Sequence, residues 1–134
     1  MTRNWLAWTG ILGVLGVALG AFGAHALALW LPLQSMKIFE TGVLYHLFHT
    51  VALLGVAILM EVAPARARGL RLTAWLLLAG IVLFSGGLYG TALSDVNAFR
   101  WIVPLGGLAW IGAWAVLAYT FWGVAPAGGQ RDSR

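Results

Sequence analysis

Thr41, Tyr45 and His49 recur every four residues, which on a helix stacks them into one ridge. His46 stands three positions before His49, so both imidazoles can face one groove. His25, Ser85 and Tyr89 add an imidazole, an alcohol and a phenol from other apolar stretches, with Glu40 and Lys37 at the rim. Such groups exchange hydrogen bonds, move protons or ligate metals. Three chemistries stay open on these residues. One is a hydrogen-bonded network that fixes helix register, with neutral histidines paired to tyrosine or backbone oxygens. A second is a pocket that binds a small ligand or handles a proton, opening toward the outer leaflet. The third is a metal or haem site in a redox protein, with His25 and His49 as facing ligands.

Catalysis finds no named residue. The Glu-x-x-His pairs of carboxylate di-metal bundles and the His-Glu-x-x-His motif are both absent from the sequence. Neither a nucleophile–base–acid trio nor a phosphate-binding glycine loop is readable. No catalytic residue, metal ligand set or cofactor is therefore assigned. With no cysteine, thiolate ligands and iron–sulfur clusters are excluded. No basic stripe interleaved with aromatics appears, which argues against nucleic acid as a partner.

The elements that must position these groups are apolar helices. The chain is 61% hydrophobic and 9% charged over 134 residues, far too little charge to cover a soluble domain. Four runs, at about 5–31, 39–60, 72–93 and 101–123, each hold the ~20 residues needed to cross a ~30 Å hydrocarbon layer. They predict an all-α integral membrane protein: a four-transmembrane-helix bundle forming a single membrane domain over 1–134. The Gly- and charge-rich stretch 125–134 reads as a flexible tail. The first run, about twice a signal-peptide core of roughly 7–15 residues, reads as a span. Pro32, Pro64 and Pro126 follow runs, where a missing backbone donor does least harm.

Arg3, Arg66, Arg68, Arg71, Arg131 and Arg134 fall on one side of this topology, Lys37 and Arg100 on the other. The positive-inside rule then puts both termini in the cytoplasm. His25 lies six residues before Leu31 and His49 six after Val43, so each is expected about 9 Å below the outer boundary. Trp110 and Trp114, four apart in mid-span, read as packing or lipid contact. Among 18 glycines, Gly13, Gly16 and Gly20 form a small-residue ridge with Ala24, and Gly86 pairs with Gly90. Such ridges seat a neighbouring helix, within the bundle or on a second copy or other membrane-protein partner.

The strings Leu-Gly-Ala-Phe-Gly-Ala-His (19–25), Phe-Glu-Thr-Gly-Val-Leu-Tyr-His-Leu-Phe-His (39–49), Phe-Ser-Gly-Gly-Leu-Tyr (84–89) and Pro-Leu-Gly-Gly (104–107) resemble a known family. It is the small membrane-protein family called domain of unknown function 423, with relatives of eukaryotic transmembrane protein 256. The resemblance runs from about Trp5 to Trp122. It implies a four-span protein of the bacterial cytoplasmic (inner) membrane without an established activity. The family pattern falls on Gly20, Gly23, His25, Thr41, Gly42, Tyr45, His49, Ser85, Leu88 and Tyr89. It also leads one to expect glutamine at position 46 in some relatives and serine at position 87.

The combined expectation is a non-enzymatic protein with a polar pocket in its outer half, which takes a small ligand or a partner helix. His25, Tyr45 and His49 would anchor it; Glu40, Thr41, His46, Ser85 and Tyr89 would complete it. A metal- or haem-dependent redox protein is the alternative, and an oligomeric transporter or proton conductor the third reading. Little polarity continues from Leu53 to Met60 or from Trp75 to Leu83, which argues against a conduit through one protomer.

Overall fold

A computed structural model describes residues 2–94 and 98–122 and, of residues 2 and 3, the backbone alone. The expected tail at 125–134 lies outside the described residues. Helix α1 covers Thr2–His25 and α2 covers Leu33–Val62. Helix α3 (Ala67–Gly80) passes through a π-helical turn (Ile81–Ser85) into α4 (Gly86–Leu93), and α5 covers Ala98–Phe121. Four helical stretches, Asn4–Leu29, Leu33–Val62, Pro64–Leu93 and Ala98–Phe121, are long and apolar enough to cross a membrane.

Two of the helix ends that differ from those expected bear on the site. Helix α1 stops at His25 and the chain turns through a short 3-10 segment at Leu27–Leu29. Helix α2 begins at Leu33, directly after Pro32, whose ψ of 147° sets the chain outside helical geometry. The ring of Pro32 cannot continue a helix but is harmless just before one. Gln34, Ser35 and Lys37 then sit in the first turns of α2. A helix closes its backbone bonds on polar residues as well as apolar ones, so hydropathy locates immersion rather than helix ends. Consequently His25 moves out to the end of α1 while His49 moves deeper along α2.

Helix α1 packs chiefly on α2, and α2 also packs on the third span. Helix α5 also packs on the third span. At the far end of α1, Trp5 meets Trp75 edge-on with ring centroids 5.0 Å apart. One apolar core, including Leu53, Ala57, Leu70, Ala74, Leu77 and Ala113, fills one half of the bundle. A smaller one, Leu27, Met36, Phe39 and Ala92, closes the other end.

Glycines allow several close approaches, on a face shifted from the expected ridges. The buried positions of α1 are Trp5, Thr9, Leu12, Gly16 and Gly23, and Gly13 lies beside that stripe. A Cβ on Gly16 would press on the Leu47 side chain, and one on Gly20 would come 3.3 Å from Val43 Cγ1. At Gly13 and Gly86 a Cβ would meet nothing within 4 Å. On α4 the contact with α5 falls instead on Gly87 and Gly90, against Val103 and the Phe99 ring. Of the expected Gly86–Gly90 pair, Gly90 thus meets α5 within the bundle, and Gly86 meets no other helix there.

Candidate functional site

His46 sits in α2 with 4% of its surface exposed, and both ring nitrogens are engaged. Its Nε2 lies 3.0 Å from the carbonyl oxygen of Leu12 on α1, and its Nδ1 lies 3.1 Å from the Tyr89 hydroxyl on α4. A carbonyl only accepts, so Nε2–H is the donor. In the neutral ring Nδ1 then accepts from the Tyr89 O–H, and one side chain ties three spans together. Two glycines make room for it. A Cβ on Gly16 would lie 3.4 Å from His46 Cδ2, and one on Gly42 would lie 2.8 Å from Tyr89 Cε1. Phe39 braces the other side of the Tyr89 ring, with centroids 5.0 Å apart.

One turn further along α2, His49 has a different setting. It is also 4% exposed, but its ring lies flat on Trp110 of α5, 3.6 Å between centroids and 2° between planes. Its Nδ1–H donates to the Tyr45 carbonyl at 2.9 Å, which leaves the Nε2 lone pair without a protein donor among the described residues. Tyr45 extends the stack, at 5.7 Å and 15° to Trp110 and 5.1 Å from Phe84. Trp110 is itself fixed, donating its indole N–H to the Leu77 carbonyl at 3.2 Å and lying against Gly80, where any side chain would collide with the indole. Beside this platform is a hollow of about 270 Å³ lined by Leu44, Tyr45 and Phe48. Tyr45 is 41% exposed, and its hydroxyl has no hydrogen-bond partner among the described residues.

Ser85 ends the π-helical turn, is 0% exposed, and its hydroxyl has no partner among the described residues. Thr9, Thr41, Thr50, Thr73, Thr91, Ser94 and Thr120 all donate to the carbonyl four residues earlier. For Ser85 that carbonyl belongs to Ile81, and the widened turn gives it to the Gly86 N–H instead. The π turn thus shifts the backbone pairing beside Ser85 by one residue. Such turns concentrate at functional positions in helices.

The expected constellation divides into separate places. His25 is exposed at the end of α1, thirteen residues beyond Leu12, hence about 20 Å further along the helix axis than the level of His46. The anticipated meeting of His25 with His49, and a haem or metal site built on that pair, does not form. Among the described residues no three metal-ligating side chains converge. Thr41 is exposed and donates to Lys37 on its own helix. Glu40 is exposed on a different hollow, of about 270 Å³, between α1 and α2 beside Gly20, Gly23 and Met36. Tyr45 and His49 remain together on the platform, Ser85 follows Phe84 in the π-helical turn, and Tyr89 joins His46. Trp110 is the site residue that the sequence reading leaves among packing groups. Its signal was an indole N–H in mid-span, where a donor needs an acceptor.

A model of the family described as "Protein of unknown function (DUF423)" matches residues 19–107. A UPF0382 membrane protein of Haemophilus influenzae is 39% identical over 119 residues, 89% of this chain and 94% of its own length. The UPF0382 membrane protein YwdK of Bacillus subtilis is 39% identical over 107 residues, 80% and 86% of the two chains. The UPF0382 inner membrane protein YgdD of Escherichia coli is 37% identical over 122 residues, 87% of each. No solved structure matches. With its four membrane-crossing helices, the chain belongs to the DUF423 family and is a multi-pass protein of the bacterial cytoplasmic membrane.

Proposed function

We propose that this protein is a non-enzymatic binder of a small, largely apolar molecule dissolved in the bilayer, held at the Leu44/Tyr45/Phe48 hollow. The observation that carries this reading is the Tyr45 hydroxyl, inside a span, beside a hollow and without a partner among the described residues. A polar hydrogen left unsatisfied in hydrocarbon costs several kcal/mol, so a ligand oxygen there is strongly favoured over a lipid tail. The platform of His49, Trp110 and Phe84 holds the phenol ring in place before binding, which lowers the ordering cost. A hollow of about 270 Å³ suits a compact ligand, or the polar end of a longer one. Meanwhile His46, bonded to Tyr89 and to the Leu12 carbonyl, serves as the fixed frame.

The test is mass spectrometry of small molecules released from gently purified protein, comparing wild type with Tyr45→Phe. Wild type should release a non-phospholipid molecule near one per chain, and loss of one hydrogen bond should lower that yield by about fivefold. Identical release from both proteins would overturn the reading. So would a protein partner recovered in place of the small molecule and displaced by the same substitution.

For orientation, we propose that both termini face the cytoplasm, supported by the six arginines on that side against Lys37 and Arg100 on the other. A fluorescent-protein fusion at the C-terminus should glow and an alkaline phosphatase fusion stay inactive. The reverse pattern would refute it.

A further inference from the structure

Away from Tyr45, the opposite end of the bundle has a larger hollow, of about 420 Å³, lined by Leu59 of α2 and by Trp114, Leu117, Ala118 and Phe121 of α5. Its walls are apolar, but its mouth carries a charge. The guanidinium carbon of Arg66 stands 4.6 Å over the centre of the Phe121 ring, within cation–π range. That position follows from the fold. The chain leaves α2 through the short helical turn Pro64–Arg66, and Gly69 then lets α3 approach Thr120 of α5 closely. Arg66 is thereby carried onto the end of α5. Arg68 and Arg71 follow on the exposed first turns of α3, with no acidic residue between Val62 and Trp75.

An apolar trough that ends under a fixed guanidinium at the membrane interface has the two-part chemistry of an anionic phospholipid. We propose that this hollow holds one acyl chain of an anionic glycerophospholipid from the arginine-side leaflet, with its phosphate paired to Arg66. A guanidinium held over Phe121 can still offer N–H groups to phosphate oxygens, the bidentate contact that arginine makes best. The neighbouring Arg68 and Arg71 attract anionic headgroups in general, whereas Arg66 is placed over a lining residue of the trough. The site is separate from the Tyr45 hollow, so either can fail without the other.

Native mass spectrometry of the full chain in micelles, offered dioleoyl phosphatidylglycerol or dioleoyl phosphatidylcholine, reads this directly. Wild type should retain the glycerol lipid about fivefold better than the choline lipid, the effect expected of one arginine at an anionic interface. Arg66→Gln should abolish that preference, Arg68→Gln should preserve it, and Ala118→Trp should lower retention by filling the trough. Free glycerol 1-phosphate should not compete, since the chain supplies much of the binding. Equal retention of both lipids would overturn the proposal. Equal losses in the two arginine variants would do the same, as a diffuse charge effect, and so would competition by the free phosphate. If Ala118→Trp does not fold, the arginine pair decides alone.

Discussion

His46→Leu is expected to lower the unfolding free energy by about 2–4 kcal/mol, while His46→Gln stays within about 1 kcal/mol of wild type. Leucine removes both bonds that hold α1 and α4 to α2, to the Leu12 carbonyl and to the Tyr89 hydroxyl. Interhelical hydrogen bonds in membranes contribute about 0.6–1.7 kcal/mol each. In addition, the Tyr89 hydroxyl is left half-buried without an acceptor, which costs about 1–3 kcal/mol more. Glutamine carries one amide donor and one carbonyl acceptor, so it can serve both partners in place of the imidazole. Reversible unfolding in mixed micelles measures all three proteins. A leucine variant as stable as wild type, or a glutamine variant as weak as the leucine one, would remove His46 from its role as the tie between three spans.

Gly106→Ala should cost about 3 kcal/mol, the upper part of the range for overpacking, because its new atom meets backbone rather than a movable side chain. A Cβ at Gly106 would contact the Phe84 backbone nitrogen and lie 2.7 Å from its Cβ and 2.8 Å from its Cα. Phe84 belongs to the π-helical turn, so relief would require shifting α5 away from that turn. The same shift would open the Phe84–Trp110 contact, now 4.7 Å between centroids, and loosen the platform beneath Tyr45. Gly107 is the internal control. Its Cβ would find Phe84 Cδ2 at 3.9 Å, an ordinary contact, so Gly107→Ala should change stability by under about 1 kcal/mol. Equal effects at 106 and 107 in the same unfolding assay would show that the close approach does not limit packing.

The four spans are legible in the sequence because membrane crossing needs long apolar runs, and this chain has room for little else. Helix ends are less legible, since Pro32 and the polar first turns of α2 extend a helix past the apolar run. That misplacement shifts His25 inward and His49 outward, and it produces the expected meeting that the structure does not form. Tyr45 and His49 can be picked out as polar groups in a span, but their platform depends on Trp110, whose ring could as well have faced lipid. The main partner of His46 is less accessible still. The Leu12 carbonyl is a backbone group, and no residue type announces it. Nor does a sequence signal mark the π-helical turn that ends at Ser85. Gly16, Gly42, Gly80 and Gly106 are readable as small residues, yet which ring or backbone each one admits depends on the register between helices.

His46 and His49, three residues apart, do different work, one as a sealed tie and the other as part of an open platform. The most direct test is nitrogen-resolved magnetic resonance of histidine-labelled protein in bilayers, which reports which ring nitrogen carries the proton. The two rings should be opposite tautomers. His46 should be protonated on Nε2, facing the Leu12 carbonyl, and His49 on Nδ1, facing the Tyr45 carbonyl. The same protonated nitrogen in both rings, or a proton on Nδ1 of His46, would contradict the division between frame and platform.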